Sequence, residues 1–260
     1  MANNSSIEWT EATWNPVAGC SIVSPGCTNC YAMRMARRLE IMGQEKYKGT
    51  TRVSGGRSKW NGKVNLDGKS LDIPRKWAKG RMVFVNSMSD LFHESVPISF
   101  IQRVFKTMNE TPQHTYQILT KRAERLSDIS HDLPWSNNIW MGVSVENSEY
   151  VYRIDYLRKS NADIKFLSLE PLLGPLHELN LSGINWVIAG GESGPGSRSV
   201  NPEWIRDIRD QCVDASVPFH FKQWGGVNKK RTGRVLDGRT WDEFPVRRWP
   251  SDDSRHAATF

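Results

Sequence analysis

The chain has 260 residues, enough for one large domain or two small ones, and 38% hydrophobic content with 11 Trp supports a real core. No apolar run approaches the ~20 residues that a membrane-spanning helix needs, which excludes a helical membrane protein. The net charge of +7 permits a polyanionic partner but does not demand one, because a moderate basic excess is often only a solvated surface.

The N-terminal run Met1–Trp9 lacks the basic-then-apolar order of a secretory leader. A cytoplasmic protein is expected, and there clustered cysteines are more often metal ligands than disulfides. A first strand over Thr13–Ala18 feeds a loop that holds Cys20, Cys27 and Cys30 at C-x6-C-x2-C spacing. Cys212 stands alone on a predicted helix, where core packing is the expected role. Thiolates suit zinc or iron–sulfur centres. A structural zinc site has four closed ligands and a catalytic one keeps a position free. Iron–sulfur clusters normally take four cysteines, so a cubane on three would present one iron to an outside ligand.

A helix over Tyr31–Met42 follows the loop. Gly43–Gly80 is rich in Gly, Lys and Arg, contains Trp60 and Trp77, and reads as a partly extended insertion. From Met82 onward short apolar runs alternate with amphipathic stretches. The runs are Met82–Asn86, Tyr116–Thr120, Ile139–Ser144, Ile164–Leu169, Ile184–Ala189 and Phe219–Lys222. Their length and β-branched and aromatic content fit buried parallel strands. Helices are expected near 98–110, 121–128, 147–159 and 202–215, the last opened by Asn201 and Pro202.

About seven βα-type units result, enough for a full or partial (β/α) TIM-like barrel. One domain is expected over 1–250, including the insertion 43–80 and a basic tail 225–250. Residues 251–260 are expected to be disordered.

Active sites of parallel α/β barrels lie at the C-terminal ends of the strands. Those ends are polar here: Asn86, Ser87, Ser89 and Asp90; Lys121 and Arg122; Ser144 and Glu146; Glu170; Glu192; Lys222 and Gln223. Each has a plainer reading, as a turn cap, an exposed loop charge or a surface cation opening a helix. Convergence of all of them on one rim is what the barrel rule expects. The cysteine loop falls on the same rim. His93 could serve as an acid or base, or only structurally.

These residues resemble the radical S-adenosylmethionine superfamily. Gly19-Cys20 and Cys27-Thr28-Asn29-Cys30-Tyr31-Ala32 match its three-cysteine frame, with three extra residues in the first gap and Asn29 where an aromatic is common. Cys30-Tyr31-Ala32, Ser87–Asp90 and Leu119-Thr120-Lys121 are similar to relatives of spore photoproduct lyase. The chain as a whole, over 7–245, resembles an uncharacterised phage-associated three-Cys-motif family. Its matching blocks include Trp14–Pro16, Asn86–His93, Leu119–Arg122, Gly142–Asn147, Glu170–Pro175, Gly190–Gly194 and Phe221–Gly225.

The resemblance implies a [4Fe–4S] cluster on Cys20, Cys27 and Cys30 and reductive cleavage of S-adenosylmethionine for hydrogen abstraction. Tyr31, Asn86, Ser87, Ser89, Lys121, Ser144 and Glu146 are then candidates for holding that cofactor. Asp90, Glu170 and Glu192 are candidates for catalysis, the two glutamates facing substrate. An electron donor such as flavodoxin or ferredoxin is implied as a partner. The substrate is expected to be an anionic small molecule or part of a nucleic acid. Trp residues of the basic segments would either stack on bases or fasten insertion and tail to the barrel. Three alternatives stay open: a zinc-dependent barrel enzyme, a nucleic-acid-binding protein with a structural zinc knuckle, and an iron–sulfur barrel without S-adenosylmethionine turnover.

Overall fold

In the computed structural model, which describes Ser5 and residues 7–245, seven strands form one all-parallel sheet. The chain begins with β1 (Ala12–Trp14), β2 (Val17–Ala18), α1 (Tyr31–Ile41), β3 (Thr51–Ser54), β4 (Arg57–Trp60) and β5 (Asn65–Leu66). The repeating part comprises β6 (Met82–Val85), α2 (Ile98–Asn109), β7 (Thr115–Thr120), α3 (Ala123–Ile129), β8 (Ile139–Ser144), α4 (Tyr152–Arg158) and β9 (Ile164–Leu169). It closes with β10 (Trp186–Gly190), α5 (Pro202–Asp214), β11 (Phe219–Gln223) and α6 (Lys229–Thr232). The sheet order is β1-β6-β7-β8-β9-β10-β11, so the barrel is partial, with β1 and β11 at its two ends.

The expected first strand is two strands. Pro16 has no N–H to donate and restricts Asn15 before it, so parallel pairing stops at Trp14. β2 leaves the sheet and pairs antiparallel with β5, from the insertion.

Side chains alternate across the strands, as their period of two requires. One face sends Val83, Val85, Ile118, Met141, Val143, Leu167, Val187 and Ala189 into the main core, with residues of α2, α3, α4 and α5. The other face carries Phe84, Trp140, Phe166, Trp186 and Ile188, closed below by Trp9. Gly142 stands beside Phe166 in register, and a Cβ there would lie 2.4 Å from the Phe166 ring. The glycine is what lets that large ring fit.

The insertion is a packed structure. Trp60 is buried with Ala32, Met33, Ala36 and Tyr47, which fastens the β3–β4 hairpin to α1. Trp77 meets His114 edge-on at 5.5 Å. In the tail, Trp224 packs on Phe221 at 4.7 Å and Trp241 on Phe219 at 5.8 Å. Trp60 and Trp77 are buried fasteners, while Trp224 and Trp241 pack on the barrel and are half-buried. Arg247, Arg248, Trp249 and the segment 251–260 expected to be disordered lie outside the described residues. Among the described residues no helix is long and apolar enough to cross a membrane.

Candidate functional site

The cysteine loop starts at Gly19, whose φ of 93° favours glycine. A Cβ there would also lie 2.1 Å from the Lys63 carbonyl oxygen. Cys27 ends a single 3-10 turn, and Cys30 stands at the N-cap position of α1. Cys20, Cys27 and Cys30 line one cavity of about 550 Å³ at the C-terminal ends of the strands. Cys212 is buried on α5 in the main core and does not line it.

Cys27 is buried, and Cys20 and Cys30 are half-buried on the cavity wall. Burial pushes the Cys20 thiol up to about 12, with Asp90 adding to the rise and Arg122 opposing it. Burial also raises Cys30, while the amide N–H groups of Ala32 and Met33 act the other way. Thiols held so must lose their protons to a bound metal to become ligands.

Two glutamates brace the loop, Glu146 at Ser24 and Glu192 at Asn29. Glu146 is fully buried and does not line the cavity. It accepts from Ser24 Oγ and Lys121 Nζ, and from Arg153 Nη1 at 2.9 Å. Burial alone would raise its carboxyl, but Lys121, Ser24 and Arg153 hold it below the usual carboxylate range. Gly26 passes so close that a Cβ would sit 2.5 Å from Glu146 Oε1. Glu192 does line the cavity, yet it accepts from Arg198 at 2.6 and 2.9 Å and from Asn29 at 3.0 Å. Arg198 reaches on to the Pro25 carbonyl at 3.0 Å.

Asp90 is equally committed. It accepts from Thr120 Oγ1 at 2.7 Å, Phe92 N at 2.9 Å, Lys121 N at 3.2 Å and Arg122 Nη1 at 2.9 Å. Asn86 adopts the left-handed region at φ 60°, which Asn tolerates better than most residues. Its Oδ1 accepts from Val17 N at 3.2 Å, and its Nδ2 is buried without a partner. Ser87 Oγ donates to Asn15 Oδ1 at 3.2 Å, Ser89 Oγ to the Val17 carbonyl at 2.8 Å, and Tyr31 Oη to the Ser87 carbonyl at 2.7 Å. His93 contacts Ser21 Oγ through Nε2 at 2.5 Å, and burial lowers its pKa. It does not line the cavity.

Glu170, Lys222, Gln223 and Ser193 form a further polar group on the wall. Gln223 Nε2 donates to Glu170 at 3.1 Å and contacts Ser193 Oγ at 2.5 Å, while Gln223 Oε1 is buried without a partner. Ile7, Trp9, Phe84 and Leu119 supply an apolar floor.

Tyr31, Asn86, Ser87, Ser89, Asp90, Lys121, Ser144, Glu170 and Glu192 thus share one cavity with the three cysteines, and Glu146 stands behind it. Residues not among the sequence-predicted site candidates also matter: Ser24, Asn29 and Arg198 hold the loop, Arg153 holds Glu146, and Trp9 floors the cavity. Arg122 has the appearance of a surface cation in the sequence but is buried.

The donor set fits an iron–sulfur cluster held on three thiols. Among the described residues no three His, Cys, Asp or Glu side chains are arranged to hold one metal ion. In a cubane each cysteine binds its own iron, so the sulfurs need not converge on a point. Asn86 and Gln223 line the same cavity, and each carries one buried side-chain atom without a partner among the described residues.

No curated protein matches the sequence. A solved structure of spore photoproduct lyase complexed with dinucleoside spore photoproduct is similar, at 12% identity and a TM-score of 0.40, over 75% of this chain. The chain spans 59% of that lyase chain. Residues 4–245 match the family described as "Protein of unknown function (DUF5131)", a description that brings neither a reaction nor a phage association, and the chain belongs to that family.

Proposed function

We propose that the protein is an iron–sulfur enzyme of radical S-adenosylmethionine type, with a [4Fe–4S] cluster on Cys20, Cys27 and Cys30. The observation that carries this reading is the sharing of one strand-end cavity by three thiols and a wall of polar side chains. When bound, cluster and S-adenosylmethionine together supply reductive cleavage of the sulfonium to a 5′-deoxyadenosyl radical that abstracts hydrogen. The protein's part is to bind, orient and exclude water.

Asn86, on the cavity wall beside the cysteine loop, is a candidate donor for a carboxylate of the cofactor. Lys121 and Ser144 extend that polar wall, and Ser87, Ser89 and Tyr31 keep its loop in shape. Glu146 serves through the cysteine loop it braces. Asp90 and Glu192 likewise act through the arginines they hold. Glu170, with Lys222 and Gln223, is the group left to face substrate. Trp9 and Phe84 keep the floor dry.

The substrate is read as an anionic small molecule or part of a nucleic acid. The net charge of +7 favours it, as do Arg34 on the cavity wall and Arg57 near Gly196. Among the described residues neither guanidinium has a hydrogen-bonding or ion-pair partner. A cytoplasmic electron donor such as flavodoxin or ferredoxin completes the reading.

Anaerobic reconstitution followed by iron, sulfide and zinc determination tests it. Wild type and Cys212→Ala should carry a full cluster, and Cys20→Ala, Cys27→Ala and Cys30→Ala should not. Full iron in Cys27→Ala, or stoichiometric zinc in anaerobic wild type, would overturn the assignment. Calorimetry with S-adenosylmethionine on the loaded protein checks the cofactor.

A further inference from the structure

We infer that Arg122 is a positioning residue for the metal centre, supplying positive charge and N–H donors to the sulfur of Cys20 and to the group held there. The inference rests on the cluster reading above.

Arg122 follows β7 at the cavity wall and is 5% exposed. Its Nε donates to Glu94 at 2.9 Å, and its Nη1 donates to Asp90 at 2.9 Å. The same Nη1 lies 3.8 Å from Cys20 Sγ. Its Nη2 is buried and has no partner among the described residues. A buried guanidinium with an unmet N–H is costly unless an anion meets it. The thiolate-bound cluster is such an anion, and Cys20 brings it to this guanidinium.

The support behind Arg122 is rigid. Asp90 takes four donors, two from backbone N–H groups, so it cannot turn away from the fork it holds. A guanidinium suits the task because it is planar, always charged and offers five donors in fixed directions. The other nearby cations are directed to other groups, whereas Arg122 reaches Cys20 Sγ. Lys121 pairs with Glu146, and Arg125 donates to the carbonyls of His93 and Val96. Arg122 is therefore the cation facing Cys20. Cluster potentials depend on net charge and on hydrogen bonds to the sulfurs. One-electron reduction adds negative charge beside Arg122, so the arginine favours the reduced state.

The test is an anaerobic redox titration of the loaded protein without S-adenosylmethionine, with dithionite as reductant, read by electron paramagnetic resonance and paired with iron and sulfide analysis. Arg122→Met should disfavour reduction about tenfold, which is about 59 mV for one electron. Arg122→Lys, which keeps the charge, should restore most of that shift. Asp90→Asn removes one of the two carboxylate charges that offset the guanidinium, leaving Glu94, and should shift the equilibrium the other way. It supplies the test even if Arg122→Met does not fold. A merely structural arginine would change cluster content and melting temperature while leaving the potential of the loaded fraction unmoved. Loaded variants at the wild-type potential, or Arg122→Met and Asp90→Asn shifting in the same direction, overturn this inference alone. Wild type that binds no cluster overturns it together with the reading it rests on.

Discussion

Lys222 Nζ lies 2.8 Å from both carboxylate oxygens of Glu170, joining β11 to the end of β9 across the intervening β10. Lys222 and Glu170 are only 15% and 17% exposed, so the pair is largely shielded from water. Residues acting as one unit give non-additive losses. Glu170→Ala and Lys222→Ala should each lower substrate turnover by about tenfold or more, and the double variant should lose little beyond either. Iron content should stay at the wild-type level in all three. Additive losses, or loss of iron, would count against a shared role at the substrate.

Gly26 and Glu146 make a second prediction. A Cβ at position 26 meets the Glu146 carboxylate, and overpacking of this kind costs about 1–3 kcal/mol. Gly26→Ala should therefore displace the turn that carries Cys27 and lower iron content after reconstitution. Adding Glu146→Asp, which withdraws the carboxylate by one methylene, should recover part of it. A Gly26→Ala protein with full iron would show that the close approach is not needed.

His220 links stability to pH. Burial, aided by Arg234 and Lys222, lowers its pKa to about 3. The unfolded chain takes a proton at this residue near ~6.5, and the native site refuses it until about pH 3. Native stability should hold above pH 6.5 and fall as pH drops toward 3, by up to a few kcal/mol, on the order of what such a shift implies. His93 and His114, both lowered by burial, act in the same direction. Urea denaturation at several pH values checks this, and His220→Phe should flatten the acid side. An unchanged acid-side slope in that variant would rule out His220 as the source.

Trp60 and the rim arginines separate fastening from recognition. Trp60→Ala empties a buried site and should cost about 3–5 kcal/mol, read as a lower melting temperature. Arg34→Ala and Arg57→Ala should leave melting unchanged. If phosphates are bound, each should reduce the salt slope of anisotropy-measured nucleic-acid binding by about one. Wild type that binds neither DNA nor RNA at low salt would leave a small anion as substrate.

Most strands and helices were legible because alternating apolar runs with distinct helical stretches between them are a strong local signal. Ile139–Ser144 and Ile164–Leu169 match the structure residue for residue. The break at Pro16 could have been read from the proline itself, but β2's new partner, β5, lies far along the chain and leaves no local pattern. The site was legible as a rim, since residues at strand ends must converge there. Individual roles were not. A carboxylate looks the same in sequence whether it lines the cavity, as Glu170 does, or is spent behind it on Ser24, Lys121 and Arg153, as Glu146 is. Burial separated those cases, and burial at Arg122 depends on Asp90, Glu94 and Cys20 arriving from other elements.

The tail contacts on β11 bear on how the molecule keeps to itself. Phe221 N donates to the Trp241 carbonyl at 2.9 Å, and Glu243 N donates to the Phe219 carbonyl at 3.3 Å, on the side of β11 away from β10. A terminal strand with free N–H and C=O groups is a template for another chain. Residues 241–243 occupy that template. A protein shortened before Trp241 would offer β11 to neighbouring chains and should self-associate through it.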